Sequence, residues 1–193
     1  MNIKIIPVIA ALIAYSTFPQ VKDTTYTLST EIGIGYSRYF TSIDYSDLNK
    51  NGFSGTLKIM WNPEHLLSIG LETGYQYLYS IDISDYNTEF GTTDFSASLY
   101  TIPVIIVFAM KAAPNIKLVA GSGIHLLFNS GSLFGVPLES SQISIGAHAG
   151  ISYTYPISNS IALGAELAYS YFTKIQDSAV DLKFLFVYDF FEY

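Results

Sequence analysis

The sequence predicts an all-β protein, an eight-stranded antiparallel up-and-down transmembrane β-barrel, and three observations carry that expectation. The segment Val180 to Tyr193 puts Val180, Leu182, Phe184, Phe186, Tyr188 and Phe190 on one phase. Asp181, Lys183, Leu185, Val187 and Asp189 fall on the other. A period of two over this length marks a strand, and one greasy face opposite a more polar one suits lipid outside and a polar lumen inside. The composition agrees: 50% of residues are hydrophobic, only 13% are charged, and Tyr occurs 16 times and Phe 13 times. Aromatics with Gly and Ser, and few Lys or Glu, favour alternating strands over helices. Finally, seven further segments repeat the alternation, separated by connections that are longer after the first, third and fifth strands and tight after the second, fourth and sixth.

The same composition excludes other classes. With no Cys there is no disulfide or thiolate–metal framework. A net charge of -7 with nine Lys and Arg leaves no basic patch for nucleic acid. The longest apolar run beyond the N-terminus, Ile102 to Met110, contains Pro103 and is long enough to cross a bilayer as a tilted strand but not as a helix. At the N-terminus, Lys4 precedes the apolar run Ile5 to Tyr15, and Ala14-Tyr15-Ser16 is a small-x-small site. Residues 1–16 therefore read as a signal peptide and residues 17–193 as the barrel domain.

Taken in order, the first strand spans Thr25 to Phe40. Leu28, Ile32, Ile34 and Tyr36 face lipid, while Glu31, Gly33, Gly35, Ser37 and Tyr39 face inward. After a polar loop, Thr41 to Asn51, the second strand runs from Gly52 to Asn62 with Phe53, Leu57, Ile59 and Trp61 outward. Trp61, beside the turn Asn62-Pro63-Glu64-His65, is placed as an aromatic at the membrane interface. The third strand, Leu66 to Ile83, has Leu67, Ile69, Leu71, Thr73, Tyr75, Tyr77, Tyr79 and Ile81 outward and Glu72, Gln76 and Ser80 inward. A longer loop is expected over Asp82 to Thr93. The fourth strand, Asp94 to Lys111, is apolar on both faces in its second half, so alternation alone leaves its register open. The fifth, Ile116 to Phe128, turns Lys117, Gly121, Gly123 and His125 inward, and another long loop is expected over Asn129 to Ser140. The sixth, Ser141 to Tyr155, carries His148 inside, and the seventh, Asn159 to Lys174, carries Glu166. The eighth is the segment described first. Short turns on one side and longer loops on the other imply periplasmic turns, extracellular loops and both termini in the periplasm.

Inward-facing charges recur along the chain: Glu31, Lys58, Glu72, Lys117, Glu166, Asp181, Lys183 and Asp189, with His125 and His148 in the same phase. A lumen of eight strands is filled by side chains, and enclosed charges must pair. These ten residues are therefore expected to form a polar network that plugs the barrel; a small pore or ligand pocket is the alternative. The His, Ser and carboxylates are also the ingredients of a nucleophilic triad, but no local motif fixes them, so no catalytic residue is assigned. A third ligand to accompany His125 and His148 is not identifiable, so neither a metal site nor a cofactor is expected.

The segment Leu99-Tyr100-Thr101-Ile102-Pro103-Val104-Ile105-Ile106-Val107, followed after a short turn by Lys117-Leu118-Val119-Ala120-Gly121-Ser122-Gly123, resembles the central signature of the outer-membrane beta-barrel domain family, the porin-like small barrels common in Bacteroidetes. In architecture the chain is similar to the eight-stranded barrels of the outer-membrane protein A and X type. The resemblance implies that Thr101 and Pro103 face the lumen and that Tyr100, Ile102, Val104 and Ile106 face lipid. Val107 stands where the family often has Lys. Tyr193 resembles the terminal aromatic read by the barrel-assembly machinery, and it is expected at the periplasmic interface. The resulting expectation is a monomeric, non-enzymatic barrel of the cell outer membrane, in contact with lipid and lipopolysaccharide, acting in structure or adhesion through its outer loops. A pore, a small-ligand carrier and a lipid-modifying enzyme are the alternatives.

Overall fold

A computed structural model describes residues 26–43, 45, 47–63, 67–89 and 91–192. The expected signal peptide, residues 1–16, lies outside them, as does Tyr193. The elements are β1 (Tyr26–Phe40), β2 (Leu48–Asn49), β3 (Asn51–Pro63), β4 (Leu67–Thr88), β5 (Gly91–Ala113), β6 (Ile116–Leu133), β7 (Val136–Pro156), β8 (Ile161–Phe172) and β9 (Asp177–Glu192). There are nine strands where the sequence predicts eight. The extra one is the two-residue β2, which lays Leu48 opposite Ile81 and Asn49 opposite Ser80.

The long strands pair antiparallel in the order β4-β3-β1-β9-β8-β7-β6-β5, and β5 pairs with β4 in turn. Each of them thus has two neighbours. The last strand lies against the first, from Thr27 opposite Glu192 to Phe40 opposite Ser178. Burial follows the alternation. In β9, Asp181, Lys183, Leu185 and Val187 are buried, while Leu182, Phe184, Phe186 and Tyr188 are exposed. The exposed phase of the other strands is equally apolar, with Ile34, Ile59, Leu71, Ile106, Ile145 and Leu167 among its members.

Two of the three expected long loops are strand. Residues 82–88 and 91–93 continue β4 and β5, and residues 129–133 and 136–140 continue β6 and β7. Phe134 and Gly135 alone join β6 to β7, both with positive φ (52° and 71°), the paired left-handed conformation of a two-residue hairpin turn. Polarity misled the sequence reading for a physical reason. Ser, Thr and Asp end a lipid-facing surface, but a backbone ladder in water continues wherever its partner strand also continues. β4 to β7 therefore stand as a four-stranded extension above β1, β8 and β9.

Within that extension one expected phase is wrong. The pairing of β4 with β5 shifts between Tyr77 and Tyr79, leaving Leu78 as a bulge. A bulge adds one residue and reverses every facing beyond it. Tyr79, expected to face lipid, instead packs inward against the buried Tyr39 and Leu99. Ser80, expected inside, is carried with Asp82 to the outer face, opposite Ser98 and Ser96.

The fourth predicted strand, whose register alternation could not set, settles as the family signature implies. Thr101 is wholly buried and Val104 and Ile106 are exposed. Close approach of β1 and β9 requires Gly35: a Cβ there would lie 2.6 Å from the Lys183 Cα.

Candidate functional site: the interior of the ring

The pairing register builds the interior by bringing opposite charges side by side. Lys58 on β3 stands opposite Glu31 on β1 and Glu72 on β4. On the other side of the ring Glu166 on β8 stands opposite Lys183 on β9. The two groups meet across the interior, where Lys58 Nζ bonds the Glu166 carboxylate. Lys58 Nζ also lies 3.4 Å from Glu72 Oε2, and Lys183 Nζ lies 2.9 Å from Glu166 Oε1. All four side chains are at most 2% exposed. At this depth ion pairs persist only when each charge has several partners, and here Lys58 and Glu166 have two each.

A second group is held by Gln76 on β4. Its amide donates to both Asp181 carboxylate oxygens at 2.9 Å and to Ser37 Oγ at 3.1 Å. His148 on β7 has Nδ1 3.3 Å from Ser170 Oγ and Nε2 3.9 Å from Glu72 Oε2. Toward the end where β1 begins, Lys117 Nζ reaches Glu31 Oε1 at 3.4 Å, in a pair whose lysine is 27% exposed.

Of the ten interior residues named from the sequence, Lys58, Glu72, Glu166, Lys183 and His148 meet in one chain of contacts, while Glu31 with Lys117 and Asp181 with Gln76 form two separate groups. His125 and Asp189 stand apart. His125 is buried edge-on to Phe172, with ring centroids 4.8 Å apart, and neither ring nitrogen has a hydrogen-bond partner among the described residues. Asp189, near the end of β9, makes no ion pair among the described residues; its backbone N–H donates to Ser160 O. Trp61 is 38% exposed and stacks on Tyr26 with centroids 5.8 Å apart and planes 4° from parallel.

The sequence reading missed the apolar ends of the interior. Tyr39, Leu78, Leu99, Leu127, Phe172 and Ala179 form one buried cluster at the end where β1 finishes, with Tyr79 and Ile175 against it. Met60, Ile105, Val107, Ala109 and Val119 form a second. Inward Leu99, Leu127 and Val107 were visible as apolar residues in a polar phase, whereas Leu78 enters only through the bulge. The departure at Val107 belongs to this second cluster.

Ser170, His148 and Glu72 form a row with the members of a hydrolytic triad, yet each is at most 4% exposed and Glu72 is already engaged by Lys58. No group of three or more His, Cys, Asp or Glu able to hold a metal occurs among the described residues.

A continuous ring of paired antiparallel strands, apolar outside and ionic within, defines a small outer-membrane β-barrel domain. The family described as outer membrane protein beta-barrel domain matches residues 7–190, and the chain belongs to it. Among solved structures, it is similar to Ail, the attachment invasion locus protein of Yersinia pestis, in complex with the heparin analogue sucrose octasulfate. The identity is 15% and the TM-score 0.55, over 86% of this chain and 99% of that one. A major outer membrane protein from Thermus thermophilus is 16% identical with a TM-score of 0.58, over 86% and 99% of the two chains. At these identities the likeness is one of fold. No curated protein matches the chain.

Proposed function

We propose that the eight long strands close into a non-conducting, non-enzymatic barrel that spans the outer membrane and works at the cell surface through the β4–β7 extension. The observation that carries this reading is the stacking of the interior: an ion-paired layer lies beneath an apolar cap of Leu78, Leu99, Leu127 and Phe172. Ions crossing it would have to break buried pairs and then pass an uncharged layer, and both steps are costly.

The short connections Pro63–Leu67, Ala113–Ile116 and Pro156–Ile161 share one end with Tyr26 and Glu192. That end is assigned to the periplasm, with residues 1–16 as the export signal and Trp61 at the inner interface. The signature from Leu99 to Val107 supports placing the chain with the porin-like small barrels of Bacteroidetes. Lipid and lipopolysaccharide surround the barrel, the barrel-assembly machinery inserts it, and it acts as a monomer.

The chemistry of the extension narrows the surface partner. Its outer face holds a shallow cleft of about 380 Å³ lined by Ser80, Asp82, Ser96, Ser98, Ser130 and Ser132. Residues 80–98 and 129–143 carry Asp82, Asp85, Glu89, Asp94 and Glu139 and neither Lys nor Arg. This favours a neutral or cationic partner over a sulfated polyanion of the kind seen with Ail. The test of the sealed reading is conductance of the refolded protein in planar bilayers. Heat-modifiable migration on gels with no steady current is expected, and a stable unitary conductance would overturn it.

A further inference from the structure

The enclosed charges do not sum to zero. Lys58, Glu72, Glu166, Asp181 and Lys183 are each at most 3% exposed, and two lysines against three carboxylates leave one negative charge. Glu31 and Lys117 pair with each other and do not change the sum. A buried charge without a counter-charge is costly, so the interior calls for one more positive charge.

The structure also holds a place for it. A cavity with about 10 Å³ for the centre of a water-sized sphere lies among Thr56, Glu72, His125, His148 and Asp181. That is about the room one water molecule needs. Four side chains on its wall present buried atoms that no described residue hydrogen-bonds: Thr56 Oγ1, Glu72 Oε2, His148 Nε2 and both nitrogens of His125. Thr56 Oγ1, Glu72 Oε2, His148 Nε2 and one nitrogen of a neutral His125 can all accept. A small hydrogen-bond-donating species is the natural complement of so many acceptors.

We propose that this cavity binds one water-sized, hydrogen-bond-donating monocation, which neutralises the interior. Ammonium has this chemistry, and so does a proton held on a bound water beside Glu72. The charged and titratable groups that line it are Glu72 from β4, His125 from β6, His148 from β7, and Asp181 with Lys183 from β9; behind them Lys58 from β3 pairs with Glu72 and Glu166 from β8 pairs with Lys183. Because the site lies inside the ring, its failure would leave the surface role untouched.

The test is the unfolding midpoint of the refolded protein in detergent. One arm compares ammonium, sodium and tetramethylammonium chloride at fixed pH and ionic strength; the other lowers pH with no ammonium present. Bound ammonium raises the midpoint until the site saturates, and sodium and tetramethylammonium do not. A retained proton gives stability that is present at low pH and is lost as pH rises, with the slope of one proton. Either response must vanish in Glu72→Gln, which removes the negative charge and keeps the shape. Equal midpoints in all salts together with the same pH dependence in wild type and Glu72→Gln overturn the proposal, as does a response that persists in the variant. Should Glu72→Gln not refold, two readouts stand in its place. His125→Leu must weaken the response, and ¹⁵N-labelled ammonium must show a resonance protected from exchange in the wild type; absence of both effects is equally fatal.

Discussion

Glu166 accepts from two lysines at once, Lys58 across the ring and Lys183 on the neighbouring strand, and no part of its side chain is exposed. Replacing it with Gln leaves Lys183 without its carboxylate and Lys58 with Glu72 alone. A loss of about 3–5 kcal/mol is expected, the range for breaking a buried pair from one side. The pair between Glu31 and Lys117 differs because its lysine is 27% exposed and water can replace the partner. Lys117→Ala, which leaves the 8% exposed Glu31 without that lysine, should cost less, about 1–3 kcal/mol. Urea unfolding of both variants in lipid vesicles checks the contrast, and equal losses would contradict the assignment of the ion-paired layer. The inward phase of these residues was readable because one misplaced residue in a strand would expose a charge to lipid. Which charges meet was not readable, since Lys58 and Glu166 are 108 residues apart.

At the scale of the element, the outer ends of the strands depart most from the sequence reading. Serine-rich stretches that look like loops remain paired, as in Ser96 opposite Ser132, whose hydroxyls are 3.0 Å apart. The turn that makes this possible rests on Phe134 and Gly135, and Gly135 has a φ of 71° that a β-branched residue resists. Gly135→Val should cost about 1–2 kcal/mol locally. Amide hydrogen exchange should quicken in residues 131–138 and stay unchanged around Lys58 and Glu166. Phe134→Asn, which suits the same turn, should slow exchange there. A uniform change along β6 and β7 would show that the extension is not an independent local unit.

For the molecule as a whole, the two faces of the sheet exchange character along its height. Below the Leu78 bulge the outer face is aliphatic and aromatic, ending in the stacked rings of Tyr75, Tyr100 and Phe128. Above it the outer face carries Ser80, Ser98 and Ser130. That change of surface is where lipid should give way to water. Spin labels at Ile34, Ile106, Ile145 and Phe184 are expected to be quenched by dissolved oxygen, and labels at Ser80, Ser98 and Ser132 by a water-soluble nickel complex. Aqueous accessibility at both sets would contradict a membrane span. Closure has its own test: the chain has no Cys, so a pair placed at Ile34 and Phe184, which stand opposite each other on β1 and β9, should crosslink with high yield.

By itself the sequence determined the all-β class and the two faces of nearly every strand. Each of these follows from a period of two repeated under a strong lipid-against-water contrast. Tertiary structure alone decided the rest. Strand length beyond the membrane depends on whether a partner is there to pair with, which polarity does not report. The bulge at Leu78, and the apolar cap it completes with Leu99, Leu127 and Phe172, depends on register between strands. The unbalanced charge beside His125 appears only once side chains from β3, β4, β8 and β9 enclose a common space.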